Sequence, residues 1–104
     1  MKKGNSSKYV IYNLRETYHE LGDYEFKIVL DPRGFENSHT SDISIFDPDG
    51  KEISCSIERW GRKMRCNFKI DESIPDGVSV VKIILRDSRK KEQQHFVKFW
   101  VIKP

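Results

Sequence analysis

Tyr24, Phe26, Ile28 and Leu30 alternate with Glu25, Lys27 and Val29, and this two-residue period is the strongest constraint in the chain. Successive side chains of a β-strand point to opposite faces, so the run lays one apolar face against a core. The same alternation recurs between turn residues and predicts seven strands: 8–14, 23–31, 41–46, 51–58, 64–70, 78–87 and 93–103. Segment 15–21 admits a helical turn. No repeat, low-complexity tract or linker interrupts residues 8–104, which read as one all-β domain of two packed sheets. Residues 1–7 are polar and read as a flexible N-terminal segment without the apolar core of a signal peptide.

Composition removes whole classes. Charged residues make up 34% of the 104 residues, and no apolar run approaches the roughly 20 residues of a membrane-spanning helix, so no membrane insertion is expected. Aromatics at 12%, with many Val and Ile, supply enough apolar surface to escape disorder. The two cysteines do not make a disulfide scaffold, and the redox compartment stays open.

Turn chemistry fixes the expected pairing. In Asp47-Pro48-Asp49-Gly50, Pro suits the first turn position and Gly the left-handed one. This predicts a three-residue hairpin with a bulge, placing Ile45 opposite Ile53 and Ile43 opposite Cys55. A turn at Trp60-Gly61 would set Ile57 against Met64, Cys55 against Cys66 and Ile53 against Phe68, with Glu58/Lys63, Ser56/Arg65, Ser54/Asn67 and Glu52/Lys69 on the other face. If the fourth strand switches sheets, one of these two registers is only partial. A turn within 88–92 would pair Ile83 with Val97 and Val81 with Phe99. Val80, Ile84, Phe96 and Trp100 then share the opposite face, with Lys82 opposite Lys98.

The run Ile74-Pro75-Asp76-Gly77-Val78-Ser79-Val80-Val81-Lys82-Ile83, followed by a polar turn and residues 96–102, resembles the end of bacterial and phage immunoglobulin-like, fibronectin III-like domains. Asp47-Pro48-Asp49-Gly50-Lys51 is similar to their midway hairpin. The resemblance implies a seven-stranded antiparallel immunoglobulin-like β-sandwich in a phage particle or on a bacterial surface, thus a virion or extracellular setting. The chain lacks a cysteine pair joining the second and sixth strands and a Trp on the third, and Ser79 stands where such domains often carry Tyr. An antibody-type domain is therefore not expected, and no functional residue carries over.

Alternate loops of such a sandwich share an end. Loops 15–23, 47–51 and 71–77 gather acidic residues at one pole, and loops 59–63 and 86–92, with the neutral loop 32–40, gather basic residues at the other. End-to-end self-association, sensitive to salt, is one expectation of that layout.

Three features are candidates for binding. Arg59, Trp60, Arg62 and Lys63, joined at the basic pole by Arg89, Lys90 and Lys91, combine an aromatic ring with cations that suit a nucleic acid, another polyanion or a glycan. Alternatively, Trp60 folds over the sheet edge and the cations are solvated. Val80, Ile84, Phe96 and Trp100 form an apolar outer face for a protein partner, a neighbouring domain or a second copy; a one-residue error of face would instead put half of them in the core. Asp42 on an adjacent strand, or a partner's carboxylate, would relieve the Lys82–Lys98 pair. Cys55 and Cys66, if opposite, are two reduced thiols or a strained cross-strand disulfide.

No metal site or cofactor is expected: ten residues between the cysteines is not a zinc spacing, and the acidic turns lack an EF-hand pattern. His19, His39 and His95 are scattered, His95 on a strand near Leu85, and no nucleophile elbow, zinc-protease, P-loop or dinucleotide motif is present. No catalytic residue is assigned. The function expected is a non-enzymatic structural or protein-interaction module of a larger assembly, and the alternative is a polyanion- or carbohydrate-binding module using the basic, Trp-bearing end.

Overall fold

The computed structural model describes residues 8–35, 37–86 and 91–104. Among them are nine strands: β1 (Tyr9–Tyr12), β2 (Thr17–Tyr18), β3 (Gly22–Leu30), β4 (Asp42–Phe46), β5 (Glu52–Ile53), β6 (Cys55–Trp60), β7 (Lys63–Ile70), β8 (Gly77–Arg86) and β9 (Glu92–Val101). They form a β-sandwich. One sheet has the order β1-β3-β7-β6, the other β2-β9-β8-β4-β5. Residues 1–7 and the candidate residues Arg89 and Lys90 lie outside the described residues.

Seven expected strands become nine for two reasons. Segment 51–58 breaks at Ser54: β5 pairs with β4 in the five-stranded sheet, and β6 pairs with β7 in the other. Ile45 stands opposite Ile53 as the turn chemistry requires, but Cys55 has left that sheet and is not paired with Ile43. Segment 15–21 is not helical. Its two-residue strand β2 runs parallel to β9, because Trp100 N–H donates to the Glu16 carbonyl (2.8 Å) and Ile102 N–H to that of Tyr18 (3.0 Å). Burying Tyr18 to 1% exposure, edge-on to Phe99 at 5.2 Å, outweighs any local helical preference.

The Asp47 hairpin forms as expected. Gly50 N–H donates to the Asp47 carbonyl (2.9 Å), Asp47 N–H to that of Lys51 (2.8 Å), and Gly50 takes φ 87°. Asp47 Oδ1 accepts from Asp49 and Lys51 N–H, which satisfies a nearly buried carboxylate.

Two registers differ from expectation by two residues. The β6–β7 turn is Gly61-Arg62, with Gly61 at φ 59° as a two-residue loop favours, so Cys55 faces Phe68, Ile57 faces Cys66 and Glu58 faces Arg65. In the last hairpin Val81 faces Val97, Ile83 faces His95 and Ser79 faces Phe99. Lys82 is therefore opposite Phe96 and Lys98 opposite Val80, which removes the like-charge pair.

The core lies between the inner faces. Phe26, Ile28 and Leu30 of β3 and Met64, Cys66, Phe68 and Ile70 of β7 meet Ile43, Ile45, Val81, Ile83, Leu85, Phe99 and Val101 of the other sheet. Dry burial of this many side chains, each contributing about 1.5–3 kcal/mol, is what offsets chain ordering.

Candidate functional site

The outer face of the five-stranded sheet carries the clearest surface feature. Register places Phe46 beside Val80, Val78 beside Trp100, and Lys82 beside Phe96. Val80, Ile84, Phe96 and Trp100 share this one face, as read from sequence. Phe46 and Val78 belong to it too, which the sequence reading does not include. Phe96 is 61% and Trp100 49% exposed, while Phe46, Val78, Val80 and Ile84 are half-buried. Lys82 and Lys98 stand within the apolar set. Asp42 does not neutralise them. It is adjacent to Ile84, and its carboxylate accepts from Arg59 Nη2 at 3.1 Å.

The Trp60 segment is arranged differently from expectation. Trp60 is not on the turn but ends β6 on the outer face of the four-stranded sheet, opposite Lys63. It is 40% exposed, and the Arg65 guanidinium lies over its ring at 5.3 Å. Arg59 points the other way. Its Nη2 donates to the Ser41 carbonyl (3.0 Å) and to Asp42, closing the sandwich edge. Arg62 and Lys63 stay exposed at the turn, and Lys91 is exposed at the start of the described part after the last hairpin. The structure thus separates Arg59 from Trp60 and brings Arg65 to the ring instead. Arg65 was legible only as an outward partner of the wrong neighbour, because the register was two residues off.

Among the described residues, loops 59–63 and 71–77 lie at opposite ends, as the loop parity predicts. At one end, Leu30 N–H donates to the Arg62 carbonyl (2.8 Å), Ser38 N–H to that of Gly61 (2.7 Å) and Arg86 Nη1 to that of Thr40 (3.0 Å). At the other, Lys103 N–H donates to Asp76 Oδ1 (3.2 Å), and a Cβ at Gly77 would lie 3.1 Å from Pro48. Asp71, Glu72 and Asp76 are therefore remote from Arg62 and Lys63. Local bonds temper both poles: Arg33 clasps Asp31 (2.7 Å), Arg86 clasps Glu92 (2.9 Å), and the Lys103 ammonium lies 3.7 Å from Asp76.

The two thiols are free. Cys66 is buried, and half-buried Cys55 lines an opening of about 430 Å³ with Asp42, Ser44 and Ile57 at the sandwich edge. They are diagonal neighbours, not opposite ones. A hydrogen bond between them lowers the Cys55 pKa, and that bond with burial raises that of Cys66.

No family model matches the chain, and no curated protein matches it. Among solved structures, the crystal structure of CopC from Methylosinus trichosporium OB3b is similar, with a TM-score of 0.58 and 19% identity over 86% of this chain and 84% of that one. The likeness is one of fold. A solution structure of a conjugate transposon protein from Bacteroides vulgatus aligns over 95% of this chain and 89% of that one, at 11% identity and a TM-score of 0.47. Neither transfers a residue role to this chain.

Proposed function

We propose that this domain is a non-enzymatic protein-interaction module that docks a protein partner on the outer face of its five-stranded sheet. The observation supporting this is the exposure of Phe96 and Trp100, 61% and 49%, on a face shared with Phe46, Val78, Val80 and Ile84. Covering such rings returns about 25 cal/mol for each Å² of apolar surface removed from water, and aromatic residues dominate interface energetics. Lys82 and Lys98 add a specificity element: the partner brings carboxylates beside apolar groups, because a neutral cover would strand two ammonium groups. The resemblance of the C-terminal strands to bacterial and phage immunoglobulin-like domains suggests the setting, a phage particle or a bacterial surface structure.

The experiment is capture of the partner from cells that make this protein, then reconstitution from purified components. Phe96→Ala and Trp100→Ala each weaken the complex tenfold or more while leaving thermal unfolding nearly unchanged. A complex equally tight with both variants would overturn the assignment.

A further inference from the structure

We infer that the outer face of the four-stranded sheet is a second binding surface, one that takes single-stranded nucleic acid across Tyr12, Lys27, Lys63 and Trp60. It lies on the sheet opposite the protein-docking face and does not depend on that reading.

Two rows of residues cross this sheet. Val10, Val29, Lys63 and Trp60 are in register in one, and Tyr12, Lys27, Arg65 and Glu58 in the next. Strand parity turns all eight outward, since Tyr9, Phe26, Ile28, Met64 and Cys66 fill the core side. An exposed ring therefore stands at each edge of the sheet: Tyr12, 50% exposed, on β1 and Trp60, 40% exposed, on β6. Three strand spacings separate those edges, about 14 Å. Between them lie two ammonium groups.

The charges on this face favour an anion. Arg65 takes up both nearby carboxylates, with Glu58 at 3.0 Å and Glu25 at 3.9 Å. No carboxylate of the described residues is in ion-pair contact with Lys27 or Lys63. Arg62 on the adjoining turn adds a further exposed cation.

Planarity narrows the class of anion. The Arg65 guanidinium lies over the Trp60 ring at 5.3 Å, so two rings and a guanidinium stand beside the two ammonium groups. A single strand presents bases and phosphates in that same alternation, and base stacking on aromatic rings tolerates any sequence. A sulfated polysaccharide would satisfy the ammonium groups, but its non-aromatic rings bring no π-face to the two aromatic side chains. The platform spans four strands, which suits unpaired bases lying across them, as in sheet-based single-strand readers.

The chain has two tryptophans, so Trp100→Phe leaves Trp60 as the sole indole reporter. Titrating this variant with a short oligothymidylate at low salt quenches Trp60 fluorescence to saturation. Lys27→Gln, Lys63→Gln and Tyr12→Ala each weaken binding several-fold, and Phe96→Ala, on the far sheet, does not. The logarithm of affinity falls against that of salt with a slope of about −1.4, as two phosphate contacts on a single strand require. Absence of quenching up to millimolar oligonucleotide overturns the inference. So does heparin binding at least as tightly with no loss in Tyr12→Ala, which would mark a plain polyanion surface. Tyr12 is half exposed on an edge strand, so its removal tests the platform without unfolding the domain.

Discussion

Arg59, near the end of β6, reaches Asp42 at the start of β4 with its Nη2 3.1 Å from Oδ1, and ties the two sheets at one edge. The same nitrogen donates to the Ser41 carbonyl at 3.0 Å. The two partners are unequal, with side-chain exposures of 28% for Arg59 and 55% for Asp42. Arg59→Ala loses both bonds and its packing, at a cost of about 1–2 kcal/mol. Asp42→Ala leaves the Ser41 bond in place and costs less than about 1 kcal/mol. Urea unfolding of both variants measures the difference.

The two phenylalanines of β9 separate core from surface. Phe99 is 1% exposed and Phe96 61%. Phe99→Ala empties a core position and destabilises by about 3–5 kcal/mol. Phe96→Ala removes a ring that is already wet, so the isolated domain changes by less than about 1 kcal/mol. Equal losses in calorimetry would mean that the face assignment is wrong.

Gly77 opens β8 with φ 138°, and a Cβ there would lie 3.1 Å from Pro48 Cβ. Gly61 has φ 59° but open space around it. Gly61→Ala costs about 1 kcal/mol through backbone strain alone. Gly77→Ala costs more, because the strain is joined by contact with the Asp47 hairpin. Thermal unfolding ranks the two.

Asp31 titrates low, at about 2, because the Arg33 side chain and then its N–H hydrogen-bond the carboxylate. A carboxyl held below its ordinary value of 3.8 contributes stability above that pH and loses it as pH falls through about 2. Arg33 is exposed and the two residues are only two apart in sequence, so the contact is local and its effect on global stability is small. NMR titration reads it directly: Arg33→Ala moves the Asp31 midpoint up toward 3.8.

The thiol pair predicts ordered reactivity. Cys55 is half-buried at the sandwich edge and its thiolate is favoured by the bond from Cys66, whose own thiol is buried. Maleimide labels Cys55 in the native domain and reaches Cys66 only after unfolding. Cys66→Ala raises the pH at which Cys55 reacts, because its hydrogen-bond partner is gone.

Much of this molecule was legible as faces. Alternation put Phe26 and Ile28 inward and Phe96 and Trp100 outward, and loop parity placed Asp71 and Arg62 at opposite ends. The apolar outer face of the five-stranded sheet was readable for the same reason. The Tyr12–Trp60 platform was not, since it needs β1 and β6 at opposite edges of one sheet, and no local pattern orders strands.

Alternation is a property of neighbouring residues, so the linear chain alone decides which side of a strand each residue takes. A slip of two residues leaves every side chain on its side, and the pattern cannot detect it. That is why Cys55 meets Phe68 instead of Cys66, and Lys82 meets Phe96 instead of Lys98. Those choices, the change of sheet at Ser54 and the parallel seat of Tyr18 beside Val101 were made by long-range packing, where burying rings and closing turns outweighs anything a short segment prefers.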